Sequence, residues 1–131
     1  MSPLRILYLE DDENDVSLLR EALAAEAILA EILHVITPWD FSEALKRAAP
    51  DLVLIDAKVA GFGGVAAVHM ARACCPDIPR FVLTGLVTEE KAAAMHAAGA
   101  HGCLSKHDLS SVIAVIRRAL ENTPPALANG S

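Results

Sequence analysis

The chain has 131 residues and a formal net charge of −6 from 11 basic and 17 acidic residues, a length that suits a single domain with its own hydrophobic core. Nucleic acids and anionic membrane surfaces both select clustered lysine and arginine, so this charge balance argues against either partner. No apolar run is long enough to span a membrane and no signal peptide is apparent, so we expect a cytoplasmic protein.

Five short apolar runs predict β-strands, and they alternate with five stretches of helical spacing. Strands are expected at residues 5–9, 31–36, 52–55, 80–84 and 101–105. The first helix begins near Asp12 or Asn14, either of which can cap it, and the others cover about 39–48, 64–75, 88–98 and 109–121. The second strand alternates more than the others, as expected for an edge strand.

This alternation of strand and helix predicts an α/β fold with parallel strands, right-handed crossovers and helices on both faces. The simplest such arrangement is a flavodoxin-like, doubly wound five-stranded parallel sheet in the order 2-1-3-4-5 with five helices. We expect this domain to cover residues 1–121. Residues 122–131 carry two prolines and no apolar period, which indicates a flexible tail or linker.

Polar side chains follow or close four of the predicted strands. In an open parallel sheet, ligands bind at the carboxyl ends of the strands, so these groups should converge. Each has an ordinary structural role when taken alone, such as helix capping or solvation of a loop, but complementary groups on four strand ends favour a site. The residues are Glu10, Asp11 and Asp12 after the first strand, Asp56 after the third, Thr84 at the end of the fourth and Lys106 after the fifth.

The chemistry that these groups suit is phosphoryl transfer. Clustered carboxylates need a cation, and oxygen ligands without histidine or cysteine favour Mg²⁺. A lysine and a threonine hydroxyl opposite the metal can neutralise and hydrogen-bond a phosphoryl group. In that arrangement Asp56 is a carboxylate nucleophile that accepts the phosphoryl group.

With these residues in place, the chain resembles the receiver domain of two-component response regulators over residues 4 to 121. No single motif is specific, but the ordered set at these spacings is a strong signal. The motifs are Leu7 to Asp12, Leu52 to Asp56 with Gly64 eight residues on, Phe81 to Gly85, Ala98 to Ala100, and Leu104 to Lys106.

The resemblance implies a phosphorylation-dependent signalling switch that receives its phosphoryl group from a histidine kinase or a phosphotransfer domain and acts on a downstream protein. Such a domain catalyses its own phosphorylation and dephosphorylation and turns over no separate substrate. The resemblance implies that Asp56 is the phosphoacceptor and that Glu10 and Asp11 are the acidic pair of the metal site. The implied Mg²⁺ ligands are Asp11, Asp56 and the Lys58 carbonyl. Thr84 and Lys106 are implied to contact the phosphoryl group.

Three positions depart from the family pattern. Ala60 stands where a proline is usual, so the loop over residues 58–64 should be more flexible. His107 also stands where a proline often follows the lysine. Cys103 replaces the aromatic residue of the fifth strand, which leaves no ring to rotate toward Thr84. This replacement puts the family's route of signal propagation in question, but not its phosphorylation chemistry.

Two other functions fit parts of the pattern. A pseudo-receiver would keep the fold as a constitutive protein-interaction module, and the missing ring and proline are compatible with that. A Mg²⁺-dependent hydrolase would use the same acids, but it needs a second acid two residues after Asp56, where Lys58 stands. The scattered histidines and the three cysteines match no metal or disulfide pattern. The domain is expected either to stand alone or to be part of a larger protein such as a hybrid kinase.

Overall fold

A computed structural model describes residues 3–58 and 63–122, which form five strands and five helices in strict alternation. The strands are β1 (Leu4–Leu9), β2 (Ala30–Val35), β3 (Leu52–Asp56), β4 (Arg80–Thr84) and β5 (Gly102–Ser105). The helices are α1 (Glu13–Ala25), α2 (Pro38–Arg47), α3 (Gly64–Cys74), α4 (Glu89–Ala98) and α5 (Leu109–Asn122).

The strands form one parallel sheet in the order β2-β1-β3-β4-β5. This order confirms the predicted flavodoxin-like topology, with β2 at an edge as its alternating sequence predicted. The central strand β3 is buried throughout, because helices cover both of its faces. Because the strands are parallel, every crossover returns the chain to the end of the sheet where the strands begin, and all five strands finish at the opposite end.

Two hydrophobic layers hold the helices against the sheet, and adjacent strand residues point into opposite layers. Leu7, Phe41, Val68 and Met95 belong to the layer under α2, α3 and α4. Ile6, Leu19, Leu54 and Ile116 belong to the layer under α1 and α5. Each of these buried side chains contributes about 1.5–3 kcal/mol through removal of its apolar surface from water.

Capping residues fix the starts of the helices next to the strand ends. The side chain of Asp12 accepts a hydrogen bond from the main-chain N–H of Asn14 at 2.9 Å and caps α1. Thr88 caps α4 in the same way through the N–H of Lys91. Helix α4 is capped at its C-terminus by Gly99, whose φ of +119° favours glycine.

Some predicted boundaries shift by one or two residues. Asp56 is the last residue of β3, whereas the prediction placed it just after the strand. Asn122 ends α5, whereas the prediction placed it in the tail, and the remainder of that tail (123–131) lies outside the described residues. The predicted flexibility of the loop around Ala60 also concerns residues outside the described ranges.

Arg80 ties together the end of the sheet opposite to the strand carboxyl ends. Its buried guanidinium donates to the carbonyl oxygens of Cys75, Pro76 and Ile78 after α3, at 3.4, 3.3 and 2.8 Å, and to the carbonyl of Gly99 after α4, at 2.8 Å. Hydrogen bonds from a charged donor are stronger than neutral ones. One side chain thus joins the C-terminal ends of two helices. Within the described ranges, no helix is both long and apolar enough to cross a bilayer.

Candidate functional site

The carboxyl ends of β1, β3, β4 and β5 bring the predicted polar side chains together. The parallel register pairs Asp56 with Leu83, and Thr84 with Ser105, so the ends of β3, β4 and β5 lie side by side. Glu10, Asp56 and Thr84 are buried at 0%, 5% and 2% exposure. Such burial of charged and polar groups requires partners, and the two acids share the Lys106 amine.

The amine of Lys106 lies at the centre of this group. Its Nζ atom is 2.7 Å from Glu10 Oε1 and 3.3 Å from Asp56 Oδ1. Its main-chain N–H donates to the carbonyl of Thr84, which fixes the residue directly beyond β5. The sequence prediction that these strand ends converge is therefore correct in geometry.

Asp15 is a member of the site that the sequence analysis missed. Its Oδ2 atom is 2.7 Å from Lys106 Nζ, as close as Glu10 is. Asp15 lies on the first turn of α1, which begins at Glu13, directly after the acids that follow β1. Because the rotation of the helix decides which of its side chains face the site, the sequence pattern does not indicate this contact.

Three carboxylates form a candidate cation site. Oxygen atoms of Glu10, Asp11 and Asp56 all lie within 4.8 Å of one another, with Asp11 exposed and the other two buried. A hard divalent cation such as Mg²⁺ prefers oxygen ligands and commonly uses one or two carboxylates, so the donor set fits that ion. The Lys58 carbonyl belongs to the turn that follows β3, next to Asp56.

Several acidic side chains of the cluster surround the single amine of Lys106, and their closeness shifts pKa values. Burial raises the pKa of Glu10 to about 7, and the nearby Asp56 charge adds to this rise, while hydrogen bonds from Lys106 and the Asp12 N–H oppose it. Burial disfavours the charge of Lys106, but hydrogen bonds to Asp15 and Glu10 outweigh burial and raise its pKa. Crowding of this kind favours the binding of a cation.

Two further side chains hold Glu10 in place. Tyr8 donates from its hydroxyl to Glu10 Oε1 at 3.3 Å, and burial followed by the Glu10 charge raises the tyrosine pKa above its usual value. A ring nitrogen of His34 on β2 lies within hydrogen-bond distance of the Glu10 carbonyl. Neither residue was singled out from the sequence.

Thr84 has a partner that the sequence also did not reveal. Its hydroxyl donates to the Leu86 carbonyl at 3.4 Å and accepts from Lys91 Nζ at 3.2 Å. Lys91 lies on α4 rather than at a strand end. Nearby on β5, Cys103 pairs with Val82 and is half-buried against the layer under α2, α3 and α4.

Comparison with known protein families gives a match to the response regulator receiver domain over residues 6–117. The chain belongs to this family. Receiver domains act in two-component signalling, where they interact with histidine kinases or phosphotransfer partners and bind Mg²⁺ at an acidic pocket. None of the curated proteins matches the chain.

Solved receiver domains share the fold of this receiver. One, from a DNA-binding response regulator of Colwellia psychrerythraea, is 24% identical, with a TM-score of 0.81 over 91% of this chain and 99% of that one. A CheY-like receiver protein from Methanospirillum hungatei is 21% identical, with a TM-score of 0.79 over 92% and 95%. The receiver of a sensor histidine kinase from Pseudomonas aeruginosa is 18% identical, with a TM-score of 0.78 over 92% and 100%, and it holds a magnesium ion in its active site cleft.

Proposed function

We propose that this receiver accepts a phosphoryl group on Asp56 from a phosphohistidine of a histidine kinase or a phosphotransfer domain, and that the modification switches its interaction with a downstream protein. The observation that carries the proposal is the Lys106 amine placed between Asp56 and Glu10, beside the acidic cluster. In the reaction, a carboxylate oxygen of Asp56 forms a bond to phosphorus while the N–P bond of the donor breaks. The electron pair of that bond stays on the imidazole, which takes up a proton.

The other residues of the site contribute to the reaction in different ways. Lys106 neutralises charge on the phosphoryl oxygens, for which it must exchange part of its contact with Asp15 and Glu10. The Thr84 hydroxyl hydrogen-bonds a phosphoryl oxygen. Asp11, Asp56 and the Lys58 carbonyl, with Glu10 alongside, would hold Mg²⁺. When bound, Mg²⁺ would neutralise the clustered carboxylates and the phosphoryl oxygens.

A pseudo-receiver function fits the site less well. A constitutive interaction module has no need of buried acids that are costly to fold around, yet Glu10 and Asp56 are both buried and both contact Lys106. A hydrolase would need an acid at position 58, where the chain has an exposed lysine. We therefore propose self-catalysed phosphorylation and dephosphorylation without turnover of another substrate, in a cytoplasmic receiver that covers residues 1–121 of this chain.

The direct test is incubation with acetyl phosphate and Mg²⁺, followed by intact-mass spectrometry. One phosphoryl group on one nucleophile adds about 80 Da, and removal of Mg²⁺ with EDTA should prevent the gain. A folded protein that shows no gain with either acetyl phosphate or a phosphorylated histidine phosphotransfer domain would overturn the proposal.

Binding of Mg²⁺ should tighten as the pH rises toward 8. Because Glu10 has a pKa of about 7, a proton occupies its carboxyl group below that pH and the cluster carries one negative charge fewer. The apparent affinity for the cation should rise by up to about tenfold per pH unit below 7 and level off above it. Calorimetric titration with MgCl₂ at several pH values measures this slope.

Matched variants show whether Glu10 is the titrating group. Glu10→Gln should bind Mg²⁺ more weakly and lose most of the pH dependence, because the amide does not ionise. Glu13→Gln, which changes an exposed acid on the first turn of α1, should keep the pH dependence of Mg²⁺ binding. An equal slope for the wild type and for Glu10→Gln would contradict the assignment.

The exposed face of α1 beside the site suits docking of a phosphotransfer partner. Helix α1 buries Val16, Leu19 and Leu23, and this leaves Leu18 51% exposed. Leu18 also lines a shallow depression with Lys106, so it lies next to the groups that would receive the phosphoryl group.

Leu18→Glu should slow phosphotransfer from a phosphorylated histidine phosphotransfer domain by about tenfold, the equivalent of about 1.4 kcal/mol. Labelling by acetyl phosphate should be unchanged, because the small donor needs no docking surface. Leu29→Glu is the matched control, since Leu29 is similarly exposed at 55% but precedes β2 at the opposite end of the sheet. Equal slowing with both donors would show that Leu18 acts through folding and not through docking.

A further inference from the structure

Lys91 connects the first turn of α4 to the end of β4. Its Nζ atom lies 3.2 Å from Thr84 Oγ1 and 3.1 Å from the carbonyl oxygen of Leu86. Its main-chain N–H is at the same time bound by the capping hydroxyl of Thr88, at 3.1 Å. The residue is therefore fixed at its backbone by the helix cap, while its side chain reaches back to the strand.

The hydroxyl of Thr84 has a single proton, and this proton is already engaged. It is donated to the Leu86 carbonyl, while Lys91 donates to the same carbonyl and to the hydroxyl oxygen. One O–H cannot donate to both the Leu86 carbonyl and a phosphoryl oxygen. When the Thr84 hydroxyl turns toward a phosphoryl group on Asp56, it must therefore leave its arrangement with the Leu86 carbonyl and the Lys91 amine.

The attachment of α4 to the rest of the protein is uneven along its length. Its buried residues are Met95 and Ala98, both in the C-terminal half, whereas Glu89 and Glu90 are exposed. The side-chain contact of Lys91 to Thr84 and the Leu86 carbonyl is thus a link between the first turn and β4. At Cys103, where a ring is usual in the family, burial raises the pKa of the thiol and the Lys91 charge opposes that rise.

We propose that Lys91 is a positioning residue for Thr84 and that it couples the phosphoryl site to α4 in a receiver that has no ring at position 103. The inference rests on the proposed phosphorylation of Asp56. In the unmodified protein Lys91 holds the Thr84 hydroxyl toward Leu86. When the hydroxyl turns to a phosphoryl oxygen, Lys91 loses one acceptor and the first turn of α4 loses part of its attachment.

The test uses beryllofluoride with Mg²⁺ as a stable stand-in for the phosphoryl group and follows the amide NMR signals of the whole chain. In the wild type, signals of Asp56, Thr84 and the first turn of α4 should shift. In Lys91→Met, the shifts at Asp56 and Thr84 should remain, whereas those of α4 should fall to less than about half, because the link is already absent. The apparent affinity for beryllofluoride should rise about three- to tenfold, since the hydroxyl is no longer held by a charged donor.

Further variants separate coupling from folding. Lys91→Arg keeps a charged donor with reach to both oxygens and should restore the α4 response. Lys46→Met, which changes an exposed lysine on α2, should behave as the wild type. If Lys91→Met does not fold, Lys91→Gln, which keeps a neutral donor, supplies the same comparison with a smaller loss.

Two outcomes are decisive and distinct. An α4 response in the Lys91 variants as large as that of the wild type would overturn the coupling role. The absence of any beryllofluoride response at Asp56 in the wild type would instead overturn the proposed phosphorylation itself.

Discussion

Replacing Asp56 with asparagine should abolish the mass gain of about 80 Da that acetyl phosphate and Mg²⁺ produce in the wild type. The amide has the same shape as the carboxylate but lacks the negative oxygen that attacks phosphorus. We expect no other acid of the cluster to take over, because Glu10 and Asp15 are each held at 2.7 Å by the Lys106 amine and Asp11 is assigned to the cation site. The expected loss is complete, and the readout is intact-mass spectrometry followed by peptide mapping.

A matched variant controls for the loss of a carboxylate as such. Asp12→Asn removes a charge next to the cluster but keeps a side-chain oxygen that can cap α1, so it should be labelled as the wild type is. Circular dichroism should show both variants folded, since Asp56→Asn relieves repulsion within the cluster. A gain of about 80 Da on Asp56→Asn would mean that another residue is the nucleophile.

The phosphorylated form should be long-lived, and the combined substitution of Lys58→Ala and Leu86→Glu should shorten its half-life by about ten- to a hundredfold. Hydrolysis requires a water in line with the O–P bond, and these two residues lie two positions after Asp56 and Thr84. Leu86, at 67% exposure, offers no hydrogen bond to orient that water. Lys58 is exposed, and its ammonium can lie over the phosphoryl oxygens without acting as a base at neutral pH.

The measurement is the decay of the phosphorylated mass after removal of acetyl phosphate, at an Mg²⁺ concentration that saturates each variant. The pair Lys46→Ala and Leu29→Glu makes the same changes at exposed positions away from the strand carboxyl ends and should leave the half-life unchanged. An unchanged or longer half-life in the Lys58→Ala, Leu86→Glu protein would contradict the obstruction by these residues.

The sequence predicted the fold and the convergence of the site because both follow from local patterns. Continuous apolar runs specify strands covered on both faces, and the parallel order then brings Asp56, Thr84 and Lys106 to one edge of the sheet whatever their rotamers are. The location of a residue at the end of a strand is determined by the sheet topology alone.

The positions of Asp15 and Lys91 do not follow from the sheet topology, because both residues lie on helices. Whether a helix side chain reaches the strand ends depends on the rotation and tilt of the helix, which packing against the sheet determines. Lys91, seven residues after Thr84, reaches back with its long side chain to a group on another element. Sequence spacing does not encode such a contact, either for Lys91 or for Asp15.

The Arg80 guanidinium also determines how α4 can move. It binds the Gly99 carbonyl at 2.8 Å and holds the C-terminal end of α4 to the carbonyls that follow α3. The C-terminal end of α4 is thus the end about which the helix would tilt. The helix has 10 residues, which is about 15 Å at 1.5 Å per residue. A tilt of about 10° about the C-terminal end would carry the first turn by about 2–3 Å while the C-terminal turn stays in place. We therefore expect a rearrangement of α4 to displace the Lys91 end more than the end at Gly99.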